Sequence, residues 1–201
     1  MNMKNQQKHE HDHGGIERQK QGISSFDLQD SKLVFHELKL NEGDVFLDLG
    51  CGAGDYAIQA ARLVGNTGIV YALDKWEEVI LGLTEKAKLS SLGNIKAVKS
   101  DIFSLLPLKD KTVDVCLMAQ VLHGSDLLKN AKILFNEIQR ILKPDGRVAI
   151  IEFKKEEVSF GPPMHMRLLP EDIAVVMAQY GFRKINLTNF KYSYLAQFGM
   201  K

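Results

Sequence analysis

Three aspartates, Asp48, Asp74 and Asp101, recur at intervals of 26 and 27 residues, each at or near the end of a short apolar run. Gly50-Cys51-Gly52-Ala53-Gly54 follows the first of them, and glycines there let backbone approach a bound molecule closely. Asp74 lies 20 residues beyond Gly54, the placement of an acid that accepts from two ribose hydroxyls. Asp101, at the end of the third run, is placed to accept from an adenine amino group. Gln120 and His123 come after a fourth run and Glu152 near the end of a fifth. Any one aspartate is also a natural turn or cap residue. Three at successive run ends, beside a glycine loop, point to a nucleoside.

Such residues need a scaffold that gathers strand ends. Val45-Phe46-Leu47-Asp48-Leu49 and Ile69-Val70-Tyr71-Ala72-Leu73 are near-continuous apolar runs, as in strands buried on both faces of a parallel sheet. Between them Ala57, Ala60, Ala61 and Val64 fall at i, i+3, i+4 and i+7, an amphipathic helix stopped at Gly65. The alternation continues with helical Ile80, Leu83 and Ala87, strands over 95–99 and 112–119, and a helical stripe of Leu127, Ala131, Leu134, Ile138 and Ile141. Lys143-Pro144-Asp145-Gly146 reads as a turn into a strand over 147–153, and a last helix carries Ile173, Val176, Met177 and Tyr180. Strands over 182–187 and 192–198 close the chain, the second alternating Tyr192, Tyr194, Ala196 and Phe198. The pattern predicts an α/β, Rossmann-like fold with a mixed, mainly parallel sheet of about seven strands, an antiparallel edge and helices on both faces. Ligands of such sheets bind beyond the carboxyl ends of the strands, where every candidate residue falls.

Composition excludes several classes. The chain has 201 residues, 45% apolar and 25% charged, with a net charge of +1. That suits one domain and gives no electrostatic case for nucleic acid or anionic lipid. No run approaches the ~18 apolar residues of a membrane span. Residues 1–21 are polar and read as a flexible tail, leaving 22–201 as a single domain. Within the tail, His9-Glu10-His11-Asp12-His13 is either a weak metal site or a solvated segment, and no metal is assigned. The N-terminus has no apolar core of a secretory signal, and Cys51 and Cys116 match no metal-ligand spacing. A cytoplasmic protein with reduced thiols is expected; the sequence assigns no oligomeric state.

Two nucleoside ligands compete for the loop. A dinucleotide fingerprint needs G-x-G-x-x-G, and Asp55 stands where its last glycine would be. A carboxylate there would face pyrophosphate. Asp48 and Asp55 better suit a ligand without phosphates and with a positive centre, and S-adenosylmethionine is one: adenosine, a sulfonium cation and an amino acid tail. The run from Val45 through Leu49 with Gly50-Cys51-Gly52-Ala53-Gly54 resembles the first motif of class I S-adenosylmethionine-dependent methyltransferases. Asp74 matches their ribose-binding acid, Ser100-Asp101 their adenine-edge acid, the run from Val113 to His123 their fourth strand and following loop, and Leu142-Lys143-Pro144-Asp145-Gly146-Arg147 the turn before their fifth strand. The resemblance runs from about Leu40 to the C-terminus and is nearest to the quinone-biosynthesis-like, small-molecule branch. It implies a class I methyltransferase fold. Taken with the spacing, it makes Asp48, Gly50, Cys51, Gly52, Gly54, Asp74, Lys75, Trp76, Asp101, Ile102 and Gln120 the expected cofactor-binding residues. The chain has Ala119-Gln120-Val121-Leu122 where nucleic-acid amino-methyltransferases carry Asn/Asp-Pro-Pro-Tyr. It also lacks the several substrate cysteines of arsenite methyltransferases.

A sulfonium methyl is already activated, so the protein mainly aligns a nucleophile with the carbon–sulfur bond and supplies a base only if the acceptor must lose a proton. His123 is the candidate base, or else a loop histidine capping the helix that starts near Ser125. Glu152 is either an acid that binds the acceptor or a holder of a neighbouring backbone amide. Trp76 either stacks on adenine or packs. Lys154, Lys155 and His165 lie along the same rim, and Gly161-Pro162-Pro163 with Met164 and Met166 is either a lid or core filler. The expected partner is a small-molecule methyl acceptor. A silent S-adenosylmethionine-binding protein and a dinucleotide-binding reductase are the alternatives. Asp74, facing a cleft, is expected to matter for binding and barely for folding.

Overall fold

The computed structural model describes residues 25–122 and 127–201. In chain order it contains α1 (Ser31–Leu38), β1 (Val45–Leu49), α2 (Asp55–Val64), β2 (Ile69–Asp74), α3 (Glu77–Leu89), β3 (Ile95–Lys99), β4 (Val113–Ala119), α4 (Leu127–Ile141), β5 (Leu142–Phe153), α5 (Pro170–Ala178), β6 (Phe182–Asn189) and β7 (Ser193–Met200). The strands form one seven-stranded sheet in the order β3-β2-β1-β4-β5-β7-β6. Strands β1 to β5 pair in parallel, and β7 runs antiparallel to both of its neighbours. The order reverses direction at β1 and β4, so a crevice opens at their carboxyl ends.

Alternate strand residues serve opposite faces. Leu47, Leu49, Cys116, Met118, Val148 and Ile150 pack with Leu134, Phe135 and Ile138 of α4 and with Ile173 and Met177 of α5. Phe46, Val70, Ala72, Val115, Leu117, Ala149 and Ile151 pack with α1, the small residues Ala57, Ala60 and Ala61 of α2, and Leu83 of α3. Helix α1 starts at Asp30, whose carboxylate accepts from the amides of Lys32 at 3.0 Å and Leu33 at 3.2 Å, two donors the helix itself leaves unpaired. Across the other face, Arg140 of α4 holds the loop between β3 and β4. It donates to the carbonyls of Leu108 and Leu106 and forms ion pairs of 2.7 Å each with Asp110 and Glu137.

Two strands differ from expectation. β5 begins at Leu142, before the anticipated turn: Val113 pairs with Leu142 and Val115 with Arg147. The residues from Lys143 to Gly146 therefore bulge opposite Asp114 alone, where Lys143 Nζ meets Asp114 Oδ2 at 2.7 Å. β7, expected over 192–198, spans Ser193–Met200, and every residue from Ser193 to Phe198 is buried. Its edges are paired with β5 and β6, while Tyr194, Ala196 and Phe198 join the core on one face of the sheet and Leu195 the core on the other, and the open edge is β6 with exposed Arg183, Lys184, Ile185 and Asn186. Charged residues on such an edge discourage further pairing. The expected tail, 1–21, lies outside the described residues. Among those residues no helix is long and apolar enough to cross a membrane, and no group of three His, Cys, Asp or Glu is placed to hold a metal.

Candidate active site

Parallel pairing sets the candidate residues along one rim of the sheet. Asp48 is the penultimate residue of β1, Asp74 the last of β2, and Asp101 lies just past β3; Gln120 follows β4 and Glu152 is penultimate in β5. The loop after β1 is built from glycines in the left-handed region, with φ of 81° at Gly50, 48° at Gly52 and 78° at Gly54. A Cβ on Gly50 would come within 2.6 Å of Val121 Cγ2, so the loops after β1 and β4 touch there. A Cβ on Gly52 would meet nothing within 4 Å, so the space over the loop is clear.

The loop's own amides are directed inward. Leu73 O accepts from the amides of Gly50 at 2.8 Å and Cys51 at 3.0 Å, Cys51 O accepts from Gly54 at 2.9 Å, and Asp74 Oδ2 accepts from Gly52 at 3.0 Å. A pyrophosphate is held by free loop amides, and these four are committed. The Cys51 amide is among them, and its side chain is buried in the core, where burial pushes the thiol far above its usual range. Asp55 is engaged as well. Lys86 Nζ sits 2.8 Å from its Oδ1 and 3.0 Å from Ala53 O, so this carboxylate already has a cation.

Asp48 is the unusual acid. It is 1% exposed, and its Oδ2 is buried with no hydrogen-bond partner among the described residues. Burial pushes its pKa up to about 7, assisted by nearby Asp74 and Asp55 and opposed by the donated amide of Ala57. Gln120 has φ of 58°; its amide donates to Ile151 O at 2.7 Å, while its Nε2 is also buried without a partner. Asp74 is nearly buried and ties two segments together, with Oδ2 on Gly52 and Oδ1 accepting from Trp76 N at 3.1 Å. The Trp76 ring is 46% exposed, with Lys75 Nζ 5.0 Å from its centroid, so it is not core packing. Asp101 is exposed at the same end, its Oδ1 accepting from Phe103 N at 2.9 Å, and Ile102 packs partly buried against the core.

Glu152 is 1% exposed and its Oε1 accepts from Leu122 N at 2.8 Å. It holds the loop after β4 against the end of β5. His123 lies outside the described residues. Tyr71 and Lys75 have the Tyr-x-x-x-Lys spacing of a carbonyl-reducing pair, but β2 and its extension separate them by roughly 13 Å at ~3.3 Å per residue.

The rim also contains a residue that spacing did not single out. Arg167 is 5% exposed and donates to four backbone carbonyls of the loop after β5: Pro162 at 2.8 Å, Lys154 at 3.2 Å, Glu156 at 2.5 Å and Phe160 at 3.1 Å. Gly161, with φ of 81°, lets that loop lie on the Phe153 ring, where a Cβ would fall 2.7 Å from Cζ. The available signal was an arginine within a proline-interrupted stretch, Pro162 to Leu169, that is apolar apart from His165.

A family model described as a methyltransferase domain matches residues 40–198. The chain is 34% identical to a crystal structure titled as a SAM dependent methyltransferase from Aquifex aeolicus, with a TM-score of 0.79, over 87% of this chain and 92% of that one. It is 29% identical over 164 residues to a demethylmenaquinone methyltransferase of Lactobacillus johnsonii, covering 80% of this chain and 63% of that protein. It is 32% identical over 115 residues to a 2-phytyl-1,4-naphtoquinone methyltransferase of Trichormus variabilis, covering 56% and 48% respectively. The chain thus spans less than two thirds of the length of these curated relatives.

Proposed function

Since the chain belongs to the methyltransferase-domain family, we propose that it moves a methyl group from S-adenosylmethionine to a small-molecule acceptor, as a cytoplasmic enzyme whose residues 22–201 act as one domain. The observation that carries this reading is the pairing of a glycine loop four of whose amides are already bonded with a buried Asp48 oxygen that has no partner among the described residues. That arrangement suits a cationic ligand and disfavours a pyrophosphate, which weighs against the reductase alternative.

The cofactor, when bound, supplies an activated methyl on a sulfonium. Asp74 would accept from the ribose hydroxyls, since each of its oxygens has capacity beyond the one amide it already accepts. Trp76, Lys75, Asp101 and Ile102 would border the adenine. Asp48 and Gln120 would meet the amino acid portion and the positive centre, and Gly52 leaves room for it. Glu152 keeps the loop after β4 in place through Leu122, so its part is to position that loop. Alignment of acceptor and methyl can supply roughly 7–11 kcal/mol of the barrier. His123 is the proposed base for acceptors that must lose a proton. The quinone methyltransferases among its relatives support a planar acceptor.

The test is transfer of a labelled methyl group from S-adenosylmethionine across a panel of phenols, quinols, thiols and amines. Labelled product from at least one acceptor is expected. Tight S-adenosylhomocysteine binding with no product from any class would favour the silent binder instead.

A further inference from the structure

Lys86 stands near the end of α3, 31 residues beyond Asp55, and its side chain crosses to the glycine loop. The ammonium donates to Ala53 O at 3.0 Å and meets Asp55 Oδ1 at 2.8 Å. Leu83, one turn earlier on the same helix, packs against Gly54, where a Cβ would collide with its side chain. Both members of the ion pair are partly exposed, at 45% and 30%, so the pair adds little to stability. Ala53 is the neighbour of Gly52, over which the space is clear. Backbone dimensions then put Lys86 Nζ within about 9 Å of the Gly52 Cα, close to one Debye length at ordinary ionic strength.

The loop is surrounded by acids. Asp55 and Asp74 lie close enough to Asp48 to help raise the pKa of its carboxyl. Asp74 accepts from the amides of Gly52 and Trp76, and Asp48 from that of Ala57, all neutral donors. Lys86 brings a full positive charge to this group. Methyl transfer breaks the carbon–sulfur bond, leaves its electron pair on sulfur, and uses a lone pair of the acceptor to form the new bond to carbon. Positive charge therefore leaves sulfur on the way to the transition state. Carboxylates with no cation beside them would hold the sulfonium more tightly before transfer than during it, and only binding that strengthens in the transition state speeds the step.

We infer that Lys86 is a positioning residue acting through Asp55 and the glycine loop, whose charge trims the negative potential at the sulfonium and so keeps the methyl donor from being held too tightly for transfer. The inference rests on the methyltransferase reading. Were the ion pair only a clasp for the loop, its loss would weaken donor and product alike.

The experiment titrates the full chain and its variants, at low ionic strength, with S-adenosylmethionine and S-adenosylhomocysteine, of which only the first has the sulfonium charge. Lys86→Met should shift the ratio of the two affinities toward S-adenosylmethionine by roughly two- to fivefold, the effect of one charge over ~9 Å at an effective dielectric constant of about 40–80. Asp55→Asn should shift it by a similar factor in the opposite direction. Lys86→Arg should keep the wild-type ratio, and 1 M salt should erase both shifts. With the best acceptor of the methyl-transfer panel, Lys86→Met should lower the KM for the donor and kcat together, whereas a loosened loop would raise KM. A ratio that either variant leaves unmoved, two shifts of the same sign, or a raised KM would overturn the inference. Failure of both ligands to bind the wild type would overturn the methyltransferase reading with it. The expected shifts in a chain that methylates nothing would keep the effect of Lys86 on binding and defeat its part in transfer.

Discussion

Asp48→Asn removes one ionisable group from the core while preserving its shape, and the effect must depend on pH in a fixed direction. Burial raises the Asp48 pKa from 3.8 to about 7, so the folded chain holds this proton more tightly than the unfolded chain. Below about pH 4 both states are protonated and the carboxyl costs nothing. Between about pH 4 and 7 the folded state binds more protons than the unfolded one, and stability falls as pH rises. Above about pH 7 the whole penalty is present. Three units at ~1.4 kcal/mol each put it near 4 kcal/mol, which for a domain of this size corresponds to about 8–15 °C in Tm. Thermal unfolding of ligand-free wild type and Asp48→Asn, compared at each pH from 4.5 to 8.5, measures it. The variant should match wild type at the acid end and be more stable above pH 7, yet bind S-adenosylmethionine more weakly there because the counter-charge is gone. A stability difference that does not vary with pH, or a variant less stable than wild type at pH 8, would refute the reasoning and mean that the buried oxygen has a partner in the ligand-free protein.

Asp74→Ala should weaken S-adenosylhomocysteine binding by about 2–4 kcal/mol, or 30- to 1000-fold in a titration. It should also lower the ligand-free Tm, because the amides of Gly52 and Trp76 lose their acceptor; this corrects the expectation that folding would barely change. Gly161→Ala should cost about 2–4 kcal/mol in denaturant unfolding, since φ of 81° strains an alanine and its Cβ would press on the Phe153 ring. His123→Ala should leave cofactor affinity nearly unchanged and reduce turnover on a phenolic acceptor by about 10²–10⁴; full activity would move the base elsewhere.

Local pattern carried the parallel half of the fold because β1 and β2 are near-continuous apolar runs with an amphipathic helix between them. Val45–Leu49 and Ile95–Lys99 coincide with their expected spans, and Ile80, Leu83 and Ala87 are the buried residues of α3. The placing of Asp48, Asp74 and Asp101 at one rim followed from strand direction alone. What escaped depended on partners distant in sequence. Asp55 was read as open to a ligand, but Lys86, 31 residues on, neutralises it. The bonding of the loop amides has no local signal either, because Leu73 O and Asp74 take three of them from the neighbouring strand. The place of β7 between β5 and β6 is a property of topology, which local alternation does not carry. Arg167 went unread because its partners are backbone carbonyls, which have no sequence signature.

The central claim is that the rim of aspartates binds a sulfonium nucleoside. The most direct measurement is a calorimetric titration of the full chain at pH 7.5 with S-adenosylmethionine, S-adenosylhomocysteine and NADH in parallel. Micromolar binding of the first two and at least 100-fold weaker binding of NADH is the predicted result. NADH binding more tightly than S-adenosylhomocysteine would contradict the account, because a pyrophosphate would then have found donors in a loop four of whose amides are already bonded.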